Sequence, residues 1–566
     1  MLSDWIPLLR DLRHYQRAWL SRDVIAGLSV AAVQIPTAIA YATLAGFPPE
    51  VGLYASMLPV LVYALFGSSR QLVLGPDAAT CAMIAALLMP MANGDLVLYL
   101  QLSAALAITA GVIMVIGGMT GMGFIVNFFA RPILIGFLSG IGLSIIAGQL
   151  GKLLGIAVVN RDFMPSLIEL AEKVGQAHWP SLLLGTAVLV LLIVLRRKSP
   201  RAPAALVALL AAGIAVLLLG LEQAGMKVVG DVPSGLPSFA VPGLGYEGAQ
   251  GIFMNAVGLV IVSFTSGMLT ARSFATRNGY AINADQEMRA FGFANISSGL
   301  FGGFAVTGAD SRTAVNDASG GKTQVVSVVA ALATAAVALF LAGPLGHLPI
   351  PALAAVLIFS AWGLLDIAGT RDLRAISRFE FRLSLITTIG VLVIGVLPGV
   401  VLAISLALLN VLAKIYKPAD TLLGRVPGLA GYNDLSMSPE AKPLPGVILY
   451  RFEGPLLFFN ADYFKARVLQ LVETTTPRPR WFVLSLEAMT QLDTTGACAI
   501  EEINSQLRAR DVQLVIARPK LYMRKYSQPL RMAEKIGMEN IFVSLQDAVA
   551  EILKRDAERG EITPSS

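Results

Sequence analysis

The sequence predicts a polytopic α-helical membrane protein of about 14 spans, built as a 7+7 inverted repeat, with a small cytoplasmic α/β domain after it. Three observations carry that reading. About fourteen apolar segments fill residues 24–416. The basic residues between them concentrate in alternate loops, as the positive-inside rule requires. The third segment of each half is too short to span alone, and each carries one signature, G-x-D-x-x-T. The copies are Gly75-Pro76-Asp77-Ala78-Ala79-Thr80 and Gly308-Ala309-Asp310-Ser311-Arg312-Thr313. A matched pair of Gly/Pro-interrupted segments points to the substrate site of an inverted-repeat transporter.

A spanning helix needs about 20 apolar residues. The segments fall near 24–45, 50–67, 77–91, 97–119, 131–150, 180–196, 203–221, 251–274, 288–303, 310–319, 324–343, 351–367, 380–397 and 399–416. With the N-terminus inside, the cytoplasmic loops hold Arg70, Arg131, Arg196, Arg197, Lys198, Arg201, Arg272, Arg277, Lys322, Arg371, Arg374, Arg378 and Arg382. The short outer loops near 46–50, 91–96 and 304–309 hold no Lys or Arg. The longer outer loop 151–179 offsets Lys152, Arg161 and Lys173 with Asp162, Glu169 and Glu172. A Gly/Pro-rich stretch, 230–237, divides the halves, and an odd number of spans in each forces opposite orientations. Arg10, Arg13, Arg17 and Arg22 precede the first span without a small-residue cleavage pattern, so that span is expected to be retained.

Composition excludes most other classes. The 566 residues are 55% hydrophobic and 14% charged, with a mean hydropathy of +0.69, where soluble domains carry roughly 25% charge. The net charge of +6 fits the basic inner loops, and no long basic run with interleaved aromatics suggests nucleic acid. Cys81 and Cys498 lie in different regions, and His14, His178 and His347 are scattered. No disulfide, metal cluster, cofactor or enzymatic centre is expected from them. A phosphate-cradling Gly-rich loop with a following Lys is absent, which argues against an ATP-driven pump.

The organisation expected is therefore a cytoplasmic N-terminus (1–22), a transport domain (23–417, repeats about 23–221 and 251–417), a polar linker (418–436), and an α/β domain with a tail (437–566). In that last part 447–452, 481–486 and 512–517 read as strands, and 494–508, 530–537 and 548–555 as helices.

Several separated motifs, in order, resemble the sulfate-permease (SulP) family of anion transporters. They are Ile35-Pro36-Thr37-Ala38-Ile39-Ala40-Tyr41-Ala42, Gly52-Leu53-Tyr54, Gly67-Ser68-Ser69-Arg70 ahead of Gly75-Pro76, Asn283-Ala284-Asp285-Gln286-Glu287, Ser311-Arg312-Thr313-Ala314-Val315 and Gly320-Gly321-Lys322-Thr323-Gln324. The C-terminal part resembles a STAS domain, with Asp493-Thr494-Thr495-Gly496 at its signature loop. The resemblance implies core and gate domains, a homodimer in the cell membrane, and an anion between the half-helices of spans three and ten. It implies sulfate first, with bicarbonate, dicarboxylates or chloride as alternatives. A STAS-bearing membrane sensor is the reading from another class, but irregular backbone at membrane depth argues against it.

The residue chemistry suits such a site. A helix N-terminus presents unpaired N–H groups and about half a positive charge, so it attracts anions. Gly75 and Gly308 permit close backbone approach, and Pro76 fits a first turn. Ala78 and Ala79 continue that turn, and Thr80, Ser311 and Thr313 add hydroxyls. Arg312 supplies a planar cationic fork, or else reaches the surface or pairs with an acid. Asp77 and Asp310 are open between helix capping and a proton site coupled to the anion. Asp310 also has Arg312 as a potential partner, although residues two apart do not share a helix face. Thr37 and Tyr41 line the cavity or pack within the core. Where some relatives carry acids, this chain has Thr37 and Ser266, which weakens any sodium or proton site transferred from them. In the STAS loop, Thr495 matches a phosphorylated hydroxyl of bacterial regulators, while Asp493 and Thr494 also suit a helix cap.

Overall fold

The computed structural model describes residues 7–8, 15–124, 131–158, 163–198, 203–243, 246–520 and 532–558. Arg10, Arg13, Arg161, Asp162, Arg201, the first residues of the 530–537 helix and the end of the tail lie outside the described residues. The chain forms two compact units, Met1–Leu406 and Ala407–Ser566.

The first unit is helical. Its first half contains α1 (Arg17–Ala45), α2 (Pro49–Tyr54), α3 (Leu58–Phe66), β1 (Leu74–Gly75), α4 (Ala78–Ala92), α5 (Leu96–Met119), α6 (Arg131–Leu154), α7 (Phe163–Lys173), α8 (Trp179–Lys198) and α9 (Ala204–Leu219). The second half contains α10 (Tyr246–Arg277), α11 (Ala284–Leu300), β2 (Thr307–Gly308), α12 (Asp310–Ala318), α13 (Val325–Phe340), α14 (Ala342–Leu345), α15 (Ile350–Trp362), α16 (Ile367–Ile376), α17 (Arg378–Val393) and α18 (Val396–Tyr416). Among the described residues, seven helical stretches are long and apolar enough to cross a membrane, and four more apolar helices are shorter.

Three local departures from the expected segments have simple causes. The second segment is two helices, because Pro59 sits in the first turn of α3 and restarts the helix there. The 151–179 loop contains α7, whose alternation of apolar and charged residues suits a partly exposed helix. The stretch after the twelfth segment forms α16, capped by Asp366 on the amide of Gly369 at 2.7 Å.

The membrane helices pack in two groups. One contains α1–α5 and α10–α13; the other contains α6, α8, α9 and α15–α17. In the first group α5 and α11 pack backbone against backbone. A Cβ on Gly111 would lie 2.6 Å from the carbonyl of Gly292, and one on Gly292 would lie 2.6 Å from the carbonyl of Gly111. Small residues let two helix backbones touch where water offers no drive to associate.

The second unit is a six-stranded sheet, ordered β4-β3-β5-β6-β7-β8. Its strands are β3 (Asp420–Gly424), β4 (Asn433–Asp434), β5 (Val447–Phe452), β6 (Trp481–Ser485), β7 (Gln513–Ala517) and β8 (Ile541–Phe542). From β5 to β8 the pairs are parallel, while β3 runs antiparallel to β4 and β5. The period of two divides its side chains. Tyr450, Phe482 and Leu514 face α19 (Ala461–Thr474) and α20 (Thr494–Arg508), while Leu449, Val483 and Val515 face α21 (Leu545–Glu558). Segment 418–436, expected as a linker, supplies two strands: Leu423 is buried opposite Leu449. Its short apolar alternation, next to polar turns, concealed an added sheet strand.

Candidate functional site

The two G-x-D-x-x-T copies meet through backbone pairing. β1 and β2 run antiparallel, Leu74 opposite Gly308 and Gly75 opposite Thr307. Each strand leads directly into a helix, so the N-termini of α4 and α12 converge. Ala309 also donates its N–H to Val73 O at 3.0 Å. The sheet satisfies backbone groups that would otherwise be orphaned where both helices break.

The helix starts differ. Asp77 is the N-cap of α4, and its carboxylate accepts from Ala79 N at 3.1 Å. On α12 the N-cap position is Ala309, which has no side-chain cap bond. The first-turn amides of α12 are thus uncapped by any side chain, whereas at α4 a carboxylate already occupies the place an anion would seek.

Arg312 is fully buried. It points away from its own helix toward the other half, donating from Nη1 to Leu74 O at 3.3 Å and from Nη2 to Pro76 O. Its Nε has no hydrogen-bond partner. It neither reaches the surface nor pairs with Asp310. Asp310 is exposed and instead accepts from Thr270 Oγ1 of α10. Asp310 and Arg312 are the charged neighbours of Asp77.

The remaining expected residues divide between scaffold and surface. Thr313 donates its single hydroxyl hydrogen to Ala309 O at 2.7 Å and accepts from Val73 N at 3.1 Å, so it ties α12 to the segment before β1. Thr37 donates within its own helix, to Val33 O at 2.7 Å. Pro76, Ala78, Ala79 and Thr80 are buried, and Ser311 is exposed. Tyr41 is buried facing Ser360, Asp77 and Arg312. Cavities of about 270 Å³, lined by Glu50, Tyr54 and Gly302, and of about 140 Å³, lined by Thr43, Gln149 and Lys152, lie apart from the paired helix starts.

Several residues at this site carried no sequence signal. Asn295 clamps β2 by accepting from Val306 N at 2.9 Å and donating to Val306 O at 3.0 Å. Gly267 of α10 lets Gly308 approach: a Cβ on it would lie 2.9 Å from Gly308 N. Thr270 stands one turn after Ser266, whose carbonyl it also contacts at 3.1 Å. The hydroxyl thus reaches the α12 carboxylate from the span where an acid was missing.

In the second unit Asp493 caps α20, accepting from Gly496 N at 2.7 Å and from Phe458 N at 2.8 Å. Thr494 and Thr495 are exposed.

The model of the sulfate permease family matches residues 20–387, and that of the STAS domain matches residues 438–554. The chain belongs to the sulfate permease family. It is 42% identical over 553 residues to a "probable sulfate transporter" of Mycobacterium tuberculosis, covering 98% of this chain and 99% of that one. It is 30% identical over 571 residues to "probable sulfate transporter 3.3" of Arabidopsis thaliana, covering 96% and 90%. The fold is that of the murine Solute Carrier 26 family member A9 anion transporter, at a TM-score of 0.89 and 21% identity, with 97% of this chain and 94% of that chain covered. The transmembrane domain of the cyanobacterial bicarbonate transporter BicA aligns at a TM-score of 0.61 and 22% identity, over 70% and 98% of the two chains. The protein is thus a multi-pass membrane anion transporter with a C-terminal STAS domain, and not an enzyme.

Proposed function

We propose that this protein is a secondary active sulfate transporter that binds its anion between the starts of α4 and α12 and works by alternating access. The observation that carries this reading is the β1–β2 pairing, which brings two helix N-termini together with a buried guanidinium beside them. The names of its relatives, each a "probable sulfate transporter", support the choice of anion. The uncapped amides of α12 and the hydroxyl of Ser311 are the first contacts, and Arg312 supplies the charge. Gly75, Pro76, Ala78, Ala79, Thr80, Thr37 and Tyr41 shape the opposite wall, while Thr313 holds the scaffold.

Proton coupling is the finer part of the proposal. The site combines two carboxylates, Asp77 and Asp310, with one guanidinium, Arg312. Ionised, these sum to one negative charge, which repels a dianion. Protonation of Asp77 removes that charge and weakens its hold on the α4 amides, so a proton and the anion load together.

The arrangement assigned is residues 23–417 for transport in the cell membrane, with the N-terminus and the STAS domain in the cytoplasm and two copies forming a homodimer. Thr495, next to Asp493 and Thr494, is the hydroxyl assigned to regulation. The test is radiolabelled sulfate uptake into proteoliposomes under imposed pH and sodium gradients, with bicarbonate, dicarboxylate and chloride as competitors. Arg312→Ala is expected to lower uptake at least about tenfold, the loss of one charge-assisted contact, and Arg312→Lys to recover part of it. Uptake unchanged in a folded Arg312→Ala protein removes Arg312 from the site; stronger competition by bicarbonate than by sulfate itself reassigns the anion.

A further inference from the structure

The irregular segment 67–73 joins α3 to β1, and its path is set by one buried carboxylate. Glu287, in the first turn of α11, is fully buried. Its Oε1 accepts from Ser68 N at 2.7 Å, Ser68 Oγ at 2.7 Å and Ser69 N at 2.9 Å. Its Oε2 accepts from Tyr63 Oη of α3 at 2.8 Å. A carboxylate offers about four acceptor positions, and Glu287 uses both oxygens, three bonds on Oε1 and one on Oε2.

The rest of the segment is tied down from two further directions. Tyr280, between α10 and α11, donates to Gln71 Oε1 at 2.6 Å and accepts from Arg70 N at 3.0 Å. From the other side of the signature, Asn316 of α12 donates to Gln71 O at 2.8 Å. Gln324 donates to Ser69 O at 2.6 Å and to Leu72 O at 2.9 Å. Ser68 through Leu72 therefore bond to α11, to Tyr280 ahead of it, to α12 and to Gln324 ahead of α13, and two residues later the chain pairs with β2.

We propose that Glu287 is a positioning residue for the anion site: it sets the path of 67–73 and thereby the register of β1 against β2. The inference rests on the reading of α4 and α12 as that site. Register is the vulnerable property, because a slip of one residue turns every side chain to the other face. A slip would put Leu74 or Pro76 where Gly75 now gives way to the Arg312 guanidinium. A two-residue strand has few bonds of its own, so its register depends on its neighbours: α12 holds Val73 and Leu74 from one side, and the anchoring upstream delivers the chain to that pairing. Displacement of about 1 Å at a binding centre costs up to about a hundredfold.

The test uses the full-length protein, with sulfate affinity measured by calorimetry and maleimide labelling of the two native thiols. Cys81, in the first turns of α4, is buried, and half-buried Cys498 in α20 is the internal reference. Glu287→Ala is expected to weaken sulfate binding at least about tenfold and to make Cys81 reactive, with labelling of Cys498 unchanged. Glu287→Gln is expected to restore both, because its oxygen still accepts from Ser68 and Ser69 while its amide donates to Tyr63. Tyr63→Phe and Tyr280→Phe each remove one hydroxyl and are expected to weaken binding by less; they carry the test if the Ala variant does not fold. A folded Glu287→Ala protein with wild-type affinity and silent Cys81 overturns the inference, as do Tyr63→Phe and Tyr280→Phe proteins both binding as wild type. Wild-type protein that binds sulfate while Arg312→Ala binds it equally well overturns the anion site itself.

Discussion

A Cβ on Gly75 would lie 1.9 Å from Nη1 of Arg312, and Gly75 itself has a φ of +149°. Both facts demand glycine. The guanidinium is the end of a long side chain, but it is buried and bonded to the carbonyls of Leu74 and Pro76, so it has nowhere to retreat. Gly75→Ala is therefore expected to cost more than about 1 kcal/mol in stability and to abolish sulfate uptake, since Arg312 must leave its carbonyls. Thermal melting and proteoliposome uptake measure the two effects separately. The signature made Gly75 and Arg312 legible as members of one site. It did not show that they touch, because the spacing of residues along a helix says nothing about carbonyls more than two hundred residues earlier. For the same reason Asn295 and Thr270 went unseen: their partners exist only once β2 and α12 are placed.

At the scale of elements, the two half-helices are alike in sequence and unlike in their caps. Asp77 stands one residue before α4 and bonds the amide of Ala79, whereas Asp310 is already inside α12 and bonds Thr270 of another helix. One aspartate thus shields a helix start, and the other leaves it open. The motif placed both carboxylates at helix starts, but the capping position turns on a shift of one residue in where the helix begins, and sequence locates helix ends only to within a few residues. Under the proposed coupling, acidification speeds uptake by neutralising Asp77, which frees the α4 amides for the anion. Asp77→Asn keeps a capping side chain, since Asn caps as well as Asp, and is permanently neutral. It is expected to fold normally, to transport at neutral pH, and to lose acid stimulation. Uptake measured from pH 5 to 8 checks this, and retention of the full acid stimulation assigns the proton elsewhere.

At the scale of the whole molecule, apolar segment lengths and loop charges made the helical unit legible, because the bilayer imposes one length and one charge asymmetry on every span. The start of the α/β unit was harder to see, since a strand of five residues among polar turns resembles a linker. The structure makes β3 part of the sheet: Asp420–Leu423 pairs with Leu449–Phe452, and Asp420 accepts from Arg467 Nε of α19 at 2.6 Å. β5 is consequently flanked on both sides, by β3 and by β6. A fragment starting at 437 lacks β3 and β4 and leaves β5 with an open row of backbone donors and acceptors beside the buried residues Val447 and Leu449. Such an edge invites pairing with another chain. Fragment 418–566 is therefore expected to be monomeric and to melt in one cooperative transition, whereas fragment 437–566 is expected to aggregate or to melt at a lower temperature. Light scattering and calorimetry on the two fragments decide it; equal melting temperatures and equal monodispersity would show that the sheet closes without β3 and that the domain begins where the apparent linker ends.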